Sequence, residues 1–278
     1  MLFRSNRHLR STSQDQERIW LATARTGSGP GGSPMTHAVI TGGGRGLGAA
    51  IAAAFDAAGI STTLLGRNLT NLQEVAGRLQ AARCQELDVT DPEAVQAAFS
   101  GLPAVDILVN NAGIAPSSPF NRHTLEDWRA SFSVNVDGAF YCTQAVIDSM
   151  LERNAGRIIN IASTSAQKGY AYVSGYVASK HALLGLTRAL ATEYARTGIT
   201  FNAICPGFAE TDLLTQSVDN IVSKTGRSAA EARATLASNN PQKRFIQPEE
   251  VAATAMWLIS DAASSITGQA LSISGGET

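Results

Sequence analysis

The chain of 278 residues carries 22 basic and 23 acidic side chains, so its formal net charge is −1. Because it has no excess of positive charge to attract nucleic acid or an anionic membrane, we expect neither partner. With 44% hydrophobic residues there is ample material for a core, and no uninterrupted run of about 18 apolar residues predicts a membrane-spanning helix. We expect a soluble protein.

The cysteines and histidines do not form a recognisable ligand or disulfide pattern. Three cysteines and four histidines are scattered along the chain. An odd number of cysteines without paired spacing is typical of a reducing compartment, and zinc ligands normally occur at short, fixed spacings. We therefore expect a cytoplasmic protein with free thiols and without a metal site.

Residues 1–34 differ in composition from the rest of the chain. They contain five Arg, five Ser and the glycine-rich tail GSGPGGSP. We expect a disordered or non-native extension, with Met35 as an alternative start of the protein. Enrichment in Arg and Ser is also compatible with an organelle transit peptide.

From Met35 onward, short apolar or β-branched runs alternate with longer stretches rich in Ala and Leu. The short runs predict strands at His37–Ile40, Ser61–Leu65, Cys84–Leu87, Ile107–Val109, Arg157–Ile161, Thr200–Ile204 and Ala270–Ile273. The longer stretches predict helices at Leu47–Ala58, Leu69–Gln80, Pro92–Phe99, Thr124–Glu152, Tyr176–Arg196 and Pro248–Ser260. Strands that alternate with helices form parallel units covered on both faces. Residues 35–278 are thus predicted to form one doubly wound α/β domain with a mainly parallel seven-stranded sheet.

The alternation is interrupted between Pro206 and Pro248. This stretch of about 40 residues has helical character and a weak apolar face. Long excursions at the carboxyl end of a strand lie where doubly wound sheets bind their ligands. The segment at about 208–245 is predicted to be a substrate lid, with a surface insertion of no function as the alternative.

A glycine-rich turn follows the first predicted strand in VITGGGRGLG, residues 39–48. Gly42, Gly46 and Gly48 give a G-x-x-x-G-x-G spacing, in which the backbone and a helix N-terminus can approach a pyrophosphate. NAD sites usually carry Asp or Glu about 20 residues further on, but this sequence has Gly66 and Arg67 there. Arg67 and Arg45 can pair with a 2′-phosphate, so NADP(H) is favoured over NAD(H); the alternative is that both arginines are solvated surface charges.

Several ordered motifs make residues 36–276 resemble the short-chain dehydrogenase/reductase family. They are TGGGRGLG (41–48), LDVTD (87–91), NNAG (110–113), SVNVDGAF (133–140), RIINIAS (157–163), Tyr176 with Lys180 as Y-x-x-x-K, and PGFAET (206–211). The resemblance implies a Rossmann-type fold and hydride transfer between a nicotinamide and a carbonyl/alcohol pair. It implies that the cofactor contacts are Gly42, Arg45, Gly46, Leu47, Gly48, Arg67, Asp88, Val89, Asn111, Ala112, Gly113, Tyr176, Lys180, Pro206, Gly207 and Thr211.

The same resemblance implies a catalytic set of Asn135, Ser163, Tyr176 and Lys180. A ketone that receives hydride becomes an alkoxide and needs a proton, which a tyrosine with a pKa of about 10 gives reluctantly. We expect the Lys180 ammonium to lower the pKa of Tyr176, Ser163 to stabilise the substrate oxygen, and Asn135 to hold a water that links Lys180 to solvent.

Neighbouring residues compete for two of these roles. Thr164 and Ser165 are alternative hydroxyl donors, but Ser163 lies thirteen residues before Tyr176, as in the family. Tyr170 and Tyr172 have no lysine four residues later.

The family motifs favour a β-ketoacyl-thioester or polyketide ketoreductase, or a 3-hydroxyacyl dehydrogenase. Alternatives are an alcohol, sugar or steroid dehydrogenase, a dinucleotide-sensing regulator without chemistry, and a structural scaffold. The expected partner is a small carbonyl or alcohol substrate, with an acyl thioester as the leading candidate. Since family members are usually homotetramers, we expect one here.

Overall fold

The structure is a computed structural model that describes residues 36–278, so the expectations for residues 1–34 lie outside the described part. Its strands are β1 His37–Thr41, β2 Ser61–Gly66, β3 Ala82–Glu86, β4 Ile107–Asn110, β5 Gly156–Ile161, β6 Ile199–Pro206 and β7 Ala270–Ile273. Its α-helices are α1 Gly46–Ala57, α2 Leu69–Ala76, α3 Pro92–Ser100, α4 Leu125–Phe132, α5 Gly138–Arg153, α6 Ser174–Glu193, α7 Asp212–Thr225, α8 Ala229–Ala237 and α9 Pro248–Leu258.

The seven strands form one sheet in the order β3-β2-β1-β4-β5-β6-β7, and every pair is parallel. The chain order reverses between β1 and β4, which is where open α/β sheets bind ligands at the carboxyl ends of their strands. Strands β1, β4, β5 and β6 are buried along their whole length, as a sheet covered on both faces requires. The predicted fold class is confirmed.

Two helical layers cover the sheet. On one face, Ile51 and Phe55 of α1 pack with Val251 and Leu258 of α9 in one apolar cluster. On the other face, α3 and α5 contribute side chains such as Phe99 and Met150 to a second cluster. Each fully buried side chain of this size contributes about 1.5–3 kcal/mol, so the two layers hold the sheet as a rigid support.

The predicted helix Thr124–Glu152 is helical along almost its whole length but contains one π-helical turn. Thr124 caps α4 by accepting a hydrogen bond from Asp127 N at 3.0 Å, and a π-helical turn at Ser133–Asp137 then separates α4 from α5. Sequence periodicity missed this turn because one wide turn leaves most apolar positions in place. The turn carries Asn135, which is 1% exposed.

The predicted helix Leu69–Gln80 is also shorter in the structure. It ends at Ala76 with Gly77 as its C-cap. The remaining predicted elements agree with the structure to within a few residues at their ends.

The segment after Pro206 folds into two helices, in agreement with its predicted helical character. Ser228 and Glu231 form a capping box that starts α8. Leu214, Val218, Ala232 and Phe245 pack into a small apolar cluster of their own. The apolar face is therefore real, and it was underestimated because its members come from two short helices and a loop.

None of the helices that the structure describes is both long enough and apolar enough to cross a membrane.

Candidate active site

A cleft of about 360 Å³ opens at the carboxyl edge of the sheet, beside the switch between β1 and β4. It is lined by most of the predicted cofactor contacts: Gly42, Arg45, Gly46, Leu47, Arg67, Asp88, Val89, Asn111, Ala112, Gly113, Tyr176, Lys180 and Thr211. Gly48, Pro206 and Gly207 lie outside this lining, as do Asn135 and Ser163 of the predicted catalytic set. The lining also includes residues that the motifs did not single out, among them Asn68, Asn71, Ile114 and Leu213.

The glycine turn is shaped by close backbone contacts. Gly42 has φ +65° and Gly46 has φ +52°, a region that side chains rarely adopt. A Cβ on Gly48 would lie 2.4 Å from the carbonyl oxygen of Gly42. Helix α1 starts directly after this turn, and its N-cap Arg45 makes no side-chain capping bond. The first N–H groups of α1 are thus left for another acceptor.

Asn111 and Thr41 brace this turn from β4 and β1. The Asn111 amide donates to the carbonyls of Thr41 and Gly42 at 2.9 and 3.0 Å. The Thr41 hydroxyl accepts hydrogen bonds from the backbone N–H groups of Asn111 and Ala112, both at 3.0 Å. The Asn111 side chain therefore fixes the shape of the turn.

The two arginines that are predicted to contact a 2′-phosphate, Arg45 and Arg67, differ in their surroundings. Arg45 lies 3.5 Å from Asp212, the first residue of α7, and both side chains are largely exposed. Arg67 follows β2, is exposed, and makes no ion pair among the residues that the structure describes. Asp88 accepts hydrogen bonds from the backbone and hydroxyl of Thr90 at 3.0 and 2.8 Å.

Ser163, Tyr176 and Lys180 meet where β5 ends and α6 begins. The Ser163 hydroxyl lies close enough to the Tyr176 hydroxyl to lower its pKa, against the larger effect of burial. The Lys180 ammonium lies 5.7 Å from the centre of the Tyr176 ring and donates to the carbonyl oxygen of Ile161 at 2.7 Å. Residues from two elements are thus brought together as the Y-x-x-x-K spacing and the preceding serine predicted.

The expected lowering of the tyrosine pKa is wrong for this structure. Burial raises the pKa of Tyr176, and the hydrogen bond with Ser163 only partly opposes that rise. Burial also lowers the pKa of Lys180, to about 8. The physical reason is that the Lys180 ammonium donates to a backbone carbonyl and lies over the ring, whereas burial disfavours the phenolate directly.

Asn135 lies next to this group at the π-helical turn. Its Nδ2 donates to the carbonyl oxygen of Ile114 at 3.0 Å and to Ser179 Oγ at 2.9 Å, and its Oδ1 accepts the Ile114 N–H at 2.9 Å. A Cβ on Gly113 would lie 3.2 Å from Asn135 Oδ1 and 3.6 Å from Lys180 Nζ. Gly113 therefore keeps a Cβ out of the gap between the asparagine oxygen and the lysine.

The helices after Pro206 cover one side of the cleft. Asp212 and Leu213 of α7 belong to its lining. At the other end of α7, the Lys224 ammonium donates to the carbonyl oxygen of Ser117 at 3.0 Å. The segment predicted as a lid thus lines part of the cleft and also contacts the loop that follows β4.

Comparisons with known proteins agree with this geometry. Residues 36–221 match the short chain dehydrogenase family. The chain is 38% identical over 248 residues to galactitol 2-dehydrogenase (L-tagatose-forming) of Cereibacter sphaeroides, covering 87% of this chain and 94% of that protein. It is 36% identical over 247 residues to acetoacetyl-CoA reductase of Rhizobium meliloti, covering 86% and 97%.

A solved structure is similar over the same region. A single-residue variant of actinorhodin polyketide ketoreductase with NADPH has a TM-score of 0.84 and 34% sequence identity, and the match covers 87% of this chain and 97% of that one. The chain therefore belongs to the short-chain dehydrogenase family and is an oxidoreductase that acts on CH–OH or keto groups.

Proposed function

We propose that the protein is an NADP(H)-dependent reductase of 3-oxoacyl thioesters, with the 3-hydroxyacyl thioester as its product. The observation that carries the chemistry is that Tyr176, which lines the cleft together with the buried Lys180, has the Ser163 hydroxyl beside its own. A hydroxyl pair of this kind can hold a carbonyl oxygen and protonate it.

In the proposed mechanism, Ser163 donates a hydrogen bond to the substrate oxygen and stabilises the negative charge that develops there. Tyr176 gives that oxygen its proton. Burial raises the pKa of Tyr176, so the hydroxyl stays protonated near neutral pH but is a weaker acid than an exposed tyrosine. Lys180, with a pKa of about 8, is still largely an ammonium at pH 7 and can stabilise the phenolate that remains.

Asn135 would connect Lys180 to solvent. Both protons of its Nδ2 are already donated within the protein. A water in the space beside Gly113 would therefore donate to Asn135 Oδ1 and accept from Lys180 Nζ. This arrangement would return a proton to Tyr176 after each turnover.

The cleft residues fit a phosphorylated dinucleotide. The glycine turn, the N-terminus of α1 without a side-chain cap, and Arg67, which has no ion-pair partner in the described region, form a set of donors for phosphate groups. When bound, the nicotinamide supplies or accepts the hydride. Arg67 has no acidic neighbour in the sequence GRN at the end of β2, which favours a 2′-phosphate over a free ribose diol; the neighbour with NADPH supports this preference.

The thioester assignment is supported by the relative that is named acetoacetyl-CoA reductase. A second candidate is a polyol or sugar dehydrogenase, since the relative at 38% identity is a galactitol 2-dehydrogenase. Both candidates use the same proton-transfer residues and differ in the substrate that the segment at 208–245 would cover.

The test is cofactor turnover with a panel of substrates. Purified enzyme is incubated with acetoacetyl thioesters, with simple ketones, and with polyols and their keto sugars, each with the NADP and NAD forms in parallel. We expect the highest kcat/KM for a 3-oxoacyl thioester with NADPH. Higher activity toward a polyol would replace the thioester assignment, and a preference for NADH would overturn the interpretation of Arg67.

We further propose a homotetramer in the cytoplasm. Leu125, Trp128 and Phe140 expose apolar surface on α4 and α5, and such surface often marks an interface. The three cysteines of the described region are free, which suits a reducing compartment. Light scattering should give four times the chain mass of 29.1 kDa, and a monomer would contradict the assembly.

A further inference from the structure

The side chain of Glu277 is buried although it is the penultimate residue of the sequence. Its side chain is only 2% exposed. Gly275 and Gly276, at φ +62° and +92°, turn the chain back after β7. A Cβ on Gly207 would lie 3.4 Å from Glu277 Oε2, so the carboxylate packs against the segment that follows β6.

A directed chain of hydrogen bonds starts at this carboxylate. The Tyr170 hydroxyl donates to Glu277 Oε1 at 2.6 Å. A tyrosine hydroxyl has one proton, so its second contact, with Thr164 Oγ1 at 2.6 Å, must be one in which Thr164 donates. The order of donors from Thr164 through Tyr170 to Glu277 is therefore fixed.

The far end of this chain lies beside the proposed oxyanion donor. Thr164 directly follows Ser163 and starts a short 3-10 turn, Thr164–Ala166. Ser163 Oγ accepts the backbone N–H of Ser165 at 3.0 Å and lies close enough to the Tyr176 hydroxyl to lower its pKa. Because Thr164 is the next residue after Ser163, a shift of Thr164 would move the Ser163 backbone and with it the Ser163 hydroxyl.

Stability alone does not account for a carboxylate at this position. Glu277 Oε2 is buried and has no hydrogen-bond partner among the described residues. Its ion-pair partner is Lys168 at 3.2 Å, whose side chain is 40% exposed. Buried carboxylate oxygens without partners are costly, and an apolar side chain would fill the same space without that cost. The carboxylate instead provides the acceptor that orients Tyr170.

We propose that Glu277 is a positioning residue for Ser163, acting through Tyr170 and Thr164. The carboxylate fixes the Tyr170 hydroxyl, Tyr170 fixes Thr164, and the turn that they hold sets the direction of the Ser163 hydroxyl toward the substrate oxygen. This inference rests on the proposed role of Ser163 and adds Glu277 to the residues that position the site.

The test compares E277A in two backgrounds, with Ser163 present and with S163A. The assay uses whichever carbonyl compound of the panel the parent enzyme reduces best, so a wrong thioester assignment does not affect it. With Ser163 present, E277A should lower kcat about tenfold, since a buried hydroxyl loses a charged acceptor, and should leave the dissociation constant of NADPH within about twofold. In the S163A background, the same change should alter kcat less than about twofold.

Matched variants separate positioning from general damage. Y170F should reproduce the loss of E277A, and the double variant E277A/Y170F should be no slower than either single one. E277Q keeps an acceptor oxygen for Tyr170 and should recover most of the activity. K168M removes only the partly exposed ion-pair partner and should change kcat less than about twofold.

Three results would overturn the proposal. The first is a kcat of E277A within about twofold of the parent. The second is an equal loss in both backgrounds, and the third is a weakened NADPH affinity, which would indicate a disturbed cleft. If S163A itself has full activity, the proposed role of Ser163 is wrong and the positioning role falls with it, whereas inactivity toward thioesters alone refutes only the substrate.

Discussion

The two ends of the cleft are built in different ways. One end, here called the hydroxyl end, lies beside the hydroxyls of Ser163 and Tyr176. There, Lys180 and Asn135 are 4% and 1% exposed and donate hydrogen bonds to backbone carbonyls. At the end proposed to hold the adenosine, here called the adenosine end, Arg45 and Arg67 are exposed side chains on loops. The first end is held by rigid elements in a buried setting, and the second relies on solvated charges.

This difference predicts different responses to substitution. Groups that transfer protons must be placed to within fractions of an ångström, so each is normally held by several packing contacts and hydrogen bonds. Charges that recognise a phosphate act through exposed contacts that salt and solvent weaken. Changes at the hydroxyl end should therefore be nearly all-or-none, and changes at the adenosine end should be graded.

The largest effect is expected for Tyr176→Phe. Removing the proposed proton donor should lower kcat about 10²–10⁴-fold while NADPH still binds. Tyr172→Phe is the control, because Tyr172 is an exposed neighbour. Steady-state kinetics and a fluorescence titration of NADPH check both; a kcat of Tyr176→Phe within about tenfold of the parent would contradict the proposed role.

The glycine turn should be nearly as sensitive. In Gly48→Ala the new Cβ would lie 2.4 Å from Gly42 O and 2.6 Å from Asn111 Nδ2, so we expect a loss of about 1–3 kcal/mol in unfolding free energy and a large loss of NADPH affinity. Gly185→Ala, on an exposed position of α6 with nothing within 4 Å of the new Cβ, should instead stabilise the protein by about 0.5–1 kcal/mol. Urea unfolding of the two variants tests the contrast, and equal effects would contradict it.

The buried ammonium should make stability depend on pH. The pKa of Lys180 falls from 10.5 to about 8 on folding, so between these values the unfolded chain holds more protons and stability rises with pH. The penalty is fully present below about pH 8 and is gone above 10.5. Lys180→Met should therefore be relatively more stable at pH 7, by about 3 kcal/mol at most since each pKa unit is about 1.4 kcal/mol, and this advantage should vanish by about pH 10.5.

Urea unfolding of the parent and Lys180→Met across this range measures the difference, with Lys168→Met as the control for a more exposed lysine. A difference between parent and Lys180→Met that stays constant from neutral pH to the upper end of the range would show that the ammonium is not desolvated on folding.

The smallest effects are expected at the adenosine end. Arg67→Ala should raise the dissociation constant of NADPH about tenfold and leave that of NADH unchanged, since only NADPH carries the 2′-phosphate. Arg45→Ala should change it less than about threefold, because Arg45 already pairs with Asp212. Isothermal titration with both cofactors decides; a parallel loss for NADH would mean that Arg67 serves the fold and not the phosphate.

Local spacing was enough to predict the sheet and the glycine turn, whereas the group of Ser163, Tyr176 and Lys180 was implied by the resemblance to the family. Strands β1 and β4–β6 are short buried runs between turn residues, a pattern that is readable in one dimension. Ser163 follows β5 and Tyr176 lies in the first turn of α6. The two residues meet because β5 ends and α6 begins at the same edge of the sheet. Motif order carries this information.

Features that depend on long-range contacts could not be predicted. The ion pair of Arg45 with Asp212 and the packing of Glu277 against Tyr170 join residues far apart in sequence. The raised pKa of Tyr176 depends on how completely the fold buries the ring. The π-helical turn at Ser133–Asp137 was hidden because both flanking helices keep their apolar spacing.

The bridge between Ala209 and Ile246 places the two ends of the 210–245 excursion side by side. Because the two ends of this excursion lie side by side, its length and sequence can change while the spacing of β6 and α9 stays the same. The backbone pairing of Ala209 with Ile246 would hold the two ends of the excursion in place while the helices between them vary. If the segment is the proposed substrate lid, replacing it with the corresponding segment of the galactitol 2-dehydrogenase relative should change which substrates reach the proposed proton-transfer group.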